Sequence, residues 1–209
     1  MFIERRFKSV KKLRIRRISA LDAIDESVGR ATELGKPVLC AMGTGSLRGK
    51  HAGITLAGIS IMSYVADLCT KLGTRLIVTP RDPRAIPLIK EIIQTAYLGQ
   101  GNLEDYNDND IMFFGNKTHT WTSGIMGTID REDVATHIGV GRYASNALLL
   151  AEHSVKHGAM TIMGTNNQAQ LGFLFAICDY VLIGEECFAA GAYLSKDQAQ
   201  ILTIMGQDW

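Results

Sequence analysis

A glycine-rich stretch directly behind an apolar run is the first place where this chain could do chemistry. Residues 43–51 read Gly43, Thr44, Gly45, Ser46, Leu47, Arg48, Gly49, Lys50 and His51, after the apolar PVLCAM of 37–42. Glycine beside a strand end permits positive φ or close backbone approach, and the amides that open a helix favour an anion. Gly43, Thr44, Gly45 and Ser46 could therefore cradle a phosphate, with Arg48 or Lys50 supplying positive charge. The spacing matches neither G-x-G-x-x-G nor G-x-x-x-x-G-K-[ST], and Thr79 before Pro80 leaves the second apolar run without an acid for a ribose. A structural glycine turn accounts for the same residues.

Other polar residues sit behind later apolar runs. Asp82, between Arg81 and Arg84, is either a reactive carboxylate or the N-cap of a helix that has Pro83 at its first position. The cap is the simpler of the two. Arg142 follows the fourth run, Asn166 the fifth, and Glu185 with Glu186 the sixth. Adjacent glutamates entering a helix favour its positive end, which competes with an acid/base role. Ser46 lacks the G-x-S-x-G setting of a hydrolase nucleophile. The five histidines are dispersed; His153 and His157 share a helical face at i, i+4, but the sequence offers no carboxylate to complete a metal site, so none is assigned. No matched catalytic set emerges, no cofactor is named, and the reading leans away from an enzyme.

These residues need a scaffold. Apolar runs at 37–42, 74–79, 111–115, 135–140, 159–164 and 180–185 alternate with helical patterns near 54–72, 85–97, 119–130, 145–157, 168–177 and from 187 to about 205. Short runs with no polar alternation indicate strands buried on both faces, which is the mark of a parallel sheet with helical crossovers. The expected fold is α/β: a Rossmann-like doubly wound, mainly parallel sheet of five or six strands with helices on both faces. Ile18 to Leu34 adds a helix before the first strand. Ligands of such sheets bind beyond the carboxyl ends of the strands, where all the residues above collect.

Composition divides the chain into a basic arm, 1–17, and a single domain, 18–209. Arg5, Arg6, Lys8, Lys11, Lys12, Arg14, Arg16 and Arg17 fall in one run, and without it fourteen basic residues face twenty-one acidic ones. A basic arm on an acidic body argues against nucleic acid gripped over the whole surface. It suits an anionic membrane surface, with each basic residue contributing about 1 kcal/mol near anionic lipid, or RNA, an acidic partner or a neighbouring subunit, and a simply solvated arm accounts for the same residues. Cys40, Cys69, Cys178 and Cys187 lie in apolar surroundings with no C-x-x-C pair, as expected of buried thiols in a reducing compartment. MFIERRF does not read as a signal peptide, and no run of the ~18 apolar residues that span a bilayer is expected.

Taken together, RRISALDAIDESVGRATELGKPVLCAMGTGSLRG, ITLAGISIMSYVADLCTKLGTRLIVT, CDYVLIGEECFAAGAYLS and the closing GQD resemble an uncharacterised family of bacterial and archaeal proteins. In that family a Rossmann-like domain is attached to hydrophobic, membrane-spanning segments. The resemblance covers about Arg16 to Asp208 and brings no activity or catalytic residues. It implies that the arm follows a membrane segment and that the domain lies in the cytoplasm, at the inner face of the membrane. Such a segment is not seen before Met1, so membrane contact would depend on a longer chain or on partners.

The resulting expectation is a non-catalytic binding or scaffolding domain that self-associates at a membrane surface or within an assembly. The small residues of FAAGAYL (188–194) are suited to packing between helices or subunits. The alternative is an enzyme or sensor that binds a nucleotide or other phosphorylated small molecule at the strand ends.

Overall fold

The computed structural model describes residues 19–195. The arm of 1–17 and the expected continuation of the last helix to about 205 lie outside the described residues.

Five short strands form one parallel sheet: β1 (Val38–Ala41), β2 (Leu76–Thr79), β3 (Thr136–Val140), β4 (Met160–Thr165) and β5 (Tyr180–Ile183), in the order β2-β1-β3-β4-β5. Val38 lies opposite Leu76 on one side and Thr136 on the other, so β1 is central and the chain reverses its direction of travel there. β1 to β4 are buried along their whole length, which is why they read as unbroken apolar runs rather than alternating ones.

Seven helices flank the sheet among the described residues: α1 (Ser19–Leu34), α2 (Ala52–Leu72), α3 (Ile86–Gln100), α4 (Thr118–Glu132), α5 (Asn146–Lys156), α6 (Gln168–Ile177) and α7 (Gly184–Ser195). α1, α2, α3 and α7 share one core with Val38, Cys40, Val78 and Ile162. α4, α5 and α6 share the other with Leu39, Ala41, Ile77 and Met163. Alternate residues of each strand thus feed opposite layers, as the period of two requires.

The third expected strand, Ile111–Gly115, is reduced to a single parallel bridge between Ile111 and Val78, with the Met112 N–H donating to the Val78 carbonyl at 2.9 Å. Beyond the bridge Phe114 lies under α4, its ring filling the space a side chain at Gly124 would need. Counting the bridge, the spatial order becomes that of a dinucleotide-type doubly wound sheet, 3-2-1-4-5-6.

α2 is long and apolar enough to cross a membrane by length and composition, a property the sequence reading did not expect of any segment. In the fold it is an interior helix, with Ile54, Ile61, Met62, Val65 and Cys69 nearly solvent-free. α7 lies against it, and a Cβ on Gly191 would come within 3.0 Å of the Ala57 Cα. The small residues of FAAGAYL are therefore used inside the molecule. On the opposite layer His137 is fully buried; its Nδ1 meets the Ser154 hydroxyl at 2.7 Å, and desolvation pushes the imidazole down to about 4. Burial likewise pushes the Cys40, Cys178 and Cys187 thiols up to about 12, and Cys69 further still, so none is a ready nucleophile.

Gly58 shows how tightly α2 sits on the sheet, since a Cβ there would run into the Val140 carbonyl oxygen. Gly29, in α1, has nothing within 4 Å of its would-be Cβ. Urea denaturation should therefore separate two identical changes: Gly58→Ala is expected to lose about 1–3 kcal/mol by overpacking, and Gly29→Ala to gain about 0.5–1 kcal/mol of helix stability. Equal effects would contradict the close approach of α2 to β3.

Candidate functional site

The loops behind β1 and β3 leave for opposite faces of the sheet, the point at which such folds open a crevice. Here the two loops are stitched together. The Thr44 N–H donates to the Arg142 carbonyl at 2.6 Å, and the Thr44 hydroxyl donates to the same oxygen at 2.9 Å. Two glycines permit the approach: a Cβ on Gly43, whose φ is +66°, would lie 2.7 Å from the Arg142 oxygen, and one on Gly141 would lie 2.5 Å from the Met42 oxygen.

With that seam closed, the open space lies one strand over. A cleft of about 360 Å³ is bounded by Gly45, Ser46, Arg81, Asp82, Pro83, Arg84 and Asn116. It sits above the carboxyl ends of β1 and β2. Its floor is braced by Trp121 of α4, fully buried, which donates its indole N–H to the Thr79 carbonyl at 3.0 Å. Tyr143, equally buried, donates its hydroxyl to the Ala41 carbonyl at 2.9 Å.

Asp82 organises the wall. It caps the short 3-10 turn Pro83–Ala85, accepting from the Arg84 N–H at 3.1 Å, and its other oxygen accepts from the Leu47 N–H at 3.2 Å. The Arg84 guanidinium adds two donors, Nε at 2.8 Å and a terminal nitrogen at 3.0 Å, and reaches the Ser46 hydroxyl at 2.6 Å. Burial raises the carboxyl's pKa, but hydrogen bonds from Arg84, Ser46 and the Arg84 and Leu47 amides outweigh it and hold Asp82 well below the usual carboxylate range. Asp82 is thus a structural anion, tying the β2 loop to the glycine-rich loop, and the capping role weighed from sequence is realised.

Arg81 faces the same space. One terminal nitrogen donates to the Thr44 carbonyl at 2.5 Å, while its Nε is buried and, among the described residues, has no hydrogen-bond partner. The cleft therefore holds two guanidiniums against one carboxylate whose acceptor sites are already taken.

Of the residues singled out from sequence, Gly45, Ser46, Arg81 and Asp82 line this cleft, and Gly43 and Thr44 form the seam beside it. Arg48 and Lys50 are exposed on the outer turn of the loop. Partial burial, then the charges of Arg142 and Lys50, push the His51 imidazole below its ordinary value, so these two cations gather around the start of α2. Asn166 is exposed beyond β4, and Glu185 is exposed in the first turn of α7; neither lines the cleft. Glu186 accepts from the Ile183 N–H at 3.1 Å, a role in starting α7. Arg84 and Asn116 were not singled out as ligand contacts. The R-D-P-R spacing could have flagged Arg84, since a cap at Asp82 brings i and i+2 together; for Asn116 the signal is its place directly behind the apolar run 111–115.

The fold and this cleft define a doubly wound α/β domain with a cationic pocket at the carboxyl end of its sheet. Over residues 1–209 the chain matches the family described as Domain of unknown function (DUF6754), and it belongs to that family. No curated protein and no solved structure matches it.

The state of Asp82 sets a pH dependence. Because folding lowers its pKa, the unfolded chain takes up the proton first, so the stability it contributes is complete above about pH 4 and is lost as pH falls below that value. Asp82→Ala should cost about 2–3 kcal/mol at pH 7, from the lost charged hydrogen bonds and cap. In urea titrations its deficit against the wild type should shrink on acidification below about pH 4. A deficit independent of pH would mean that the carboxylate's charge contributes nothing.

Proposed function

We propose that the cleft binds a phosphorylated small molecule, a nucleotide or a phosphorylated metabolite, with the protein acting as a sensor or enzyme for it. One observation carries this reading: the cleft wall keeps a surplus guanidinium, Arg81, with a buried Nε left unpartnered among the described residues, while the neighbouring carboxylate is already saturated. A buried donor without an acceptor costs on the order of 1–3 kcal/mol, which a bound anionic oxygen would recover. Arginine's planar fork suits phosphate oxygens. Arg48, Lys50 and Arg142 add positive potential at the same end of an otherwise acidic body.

Thermal-shift measurement against nucleotides and phosphorylated sugars tests this. A true ligand at about a hundred times its Kd should raise Tm by about 5–10 °C. Arg81→Met, and separately Asp82→Asn/Arg84→Met, which removes the ion pair as a unit, should each weaken binding about tenfold or more. Stabilisation by dicarboxylates alone, or by nothing in the panel, would overturn the assignment.

A second reading, the self-associating scaffold, is supported by α6. QAQLGFLFAI carries no charge, only Leu174 of it is buried, and Phe173 and Phe175 are 52% and 56% exposed beside the edge strand β5. An uncharged apolar face requires no charge complement, so a second copy of the same face would cover it. Light scattering should then give a dimer that Phe173→Asp/Phe175→Asp converts to a monomer; a wild-type monomer would end this reading. A role for the basic arm at an anionic membrane surface, and a cytoplasmic location, belong to the same proposal.

A further inference from the structure

We propose that Asp130, His153 and His157 form a binding site for a divalent ion of the zinc class, at the end of the sheet opposite the cleft. Asp130 lies in the last turns of α4 and the two histidines at the end of α5; helices that return antiparallel to the strands end at the strands' amino ends. The Nε2 of His153 is 2.6 Å from Asp130 Oδ1, and the Nε2 of His157 is 3.0 Å from the same oxygen. The two rings lie 4.3 Å apart between centroids, and all three donor atoms fall within 4.8 Å of one another.

A tetrahedral zinc ion with bonds of about 2.0–2.1 Å would hold its donors roughly 3.3 Å apart. Moving these atoms to that spacing takes less than about 1 Å, and Asp130 and His157, 47% and 43% exposed, have the freedom to move.

The hydrogen bonding of His157 favours a cation between the donors. Its Nδ1 lies 2.8 Å from the His153 carbonyl oxygen, which can only accept, so Nδ1 carries the hydrogen. A neutral ring in that tautomer presents a lone pair at Nε2, aimed at a carboxylate oxygen 3.0 Å away. Two lone pairs at that distance repel unless a proton or a metal ion lies between them. Donation of the far ring N–H to a backbone carbonyl is also the arrangement that orients metal-bound histidine. The negative ends of α4 and α5 both point towards the site, which adds attraction for a cation. Lys156, the nearest lysine in sequence, is paired with Glu152 at 2.7 Å instead.

Two imidazoles and one carboxylate select a borderline transition-metal ion over magnesium or calcium, and leave the remaining positions to water. Bound there, the ion would clip α4 to α5.

Calorimetric titration of the metal-free, reduced full-length protein with zinc chloride tests the site. One ion should bind per chain; Asp130→Asn, His153→Gln and His157→Gln should each weaken it tenfold or more, and His51→Gln/His119→Gln should leave it unchanged. Cobalt(II) should give visible d–d absorption that is lost in the same three variants, whose circular dichroism stays that of the wild type. Absence of saturable binding, binding insensitive to all three changes, or loss in the His51/His119 variant would overturn the proposal.

Discussion

The contact on which the working end of this molecule depends is the seam between Thr44 and Arg142. Parallel strands that send their connections to opposite faces must diverge at their carboxyl ends, and divergence normally leaves a crevice. In this chain two glycines, Gly43 and Gly141, remove the Cβ atoms that would keep the loops apart, and the Thr44 amide and hydroxyl both bond the Arg142 carbonyl. Closing the crevice at its usual place satisfies backbone groups that would otherwise face a ligand or water. It also fixes the glycine-rich loop as a rigid wall, so the accessible cleft is displaced towards β2.

The cationic wall follows from that constraint. Thr44 is held from both sides, by Arg142 through its amide and hydroxyl and by Arg81 through its carbonyl. Arg81 can reach back only because the seam keeps that carbonyl in place. Asp82 then fastens the next turn of the loop through Leu47 and orders Arg84, which orders Ser46. Each group is fixed by the one before it, so the charges in the cleft are set by the fold rather than by a ligand. Preorganised guanidiniums lose less freedom on binding than ordinary surface arginines would.

Much of the architecture was legible because it rests on local pattern. Val38–Ala41, Leu76–Thr79 and Thr136–Val140 are buried on both faces, and burial on both faces leaves an apolar run that no helix period explains. Ile111–Gly115 has the same composition but not the same environment. It lies at the sheet edge, where pairing with β2 stops after Ile111 and the Phe114 ring sits against Gly124. The glycine-rich loop was recognisable as a special backbone, and Asp82 as a cap, from neighbours in sequence. The seam was not, since its partners are 98 residues apart. Nor was the third member of the histidine cluster, because Asp130 precedes His153 by 23 residues and arrives on a different helix. Spacing rules see one element at a time, and sites are built between elements.

The distribution of charge adds a last step. Fourteen basic residues remain outside the arm, and Arg48, Lys50, Arg81, Arg84, Lys117 and Arg142 all belong to loops or turns at the carboxyl end of the sheet. At the amino end Arg75 is absorbed by Asp110 and Glu132, and Lys36 by Asp133. Outside the arm the body is acidic, and its long-range field is screened beyond roughly 8–10 Å in physiological salt. Within that distance of the cleft the local potential follows this excess of cations, which is what the proposed phosphorylated ligand would meet. The same polarity works in reverse at the far end, where carboxylates and helix carboxyl termini make the surroundings of Asp130 favourable to a cation. One sheet thus sets a cluster of cations at its carboxyl end apart from the carboxylates at its amino end, and the two proposed sites follow that division.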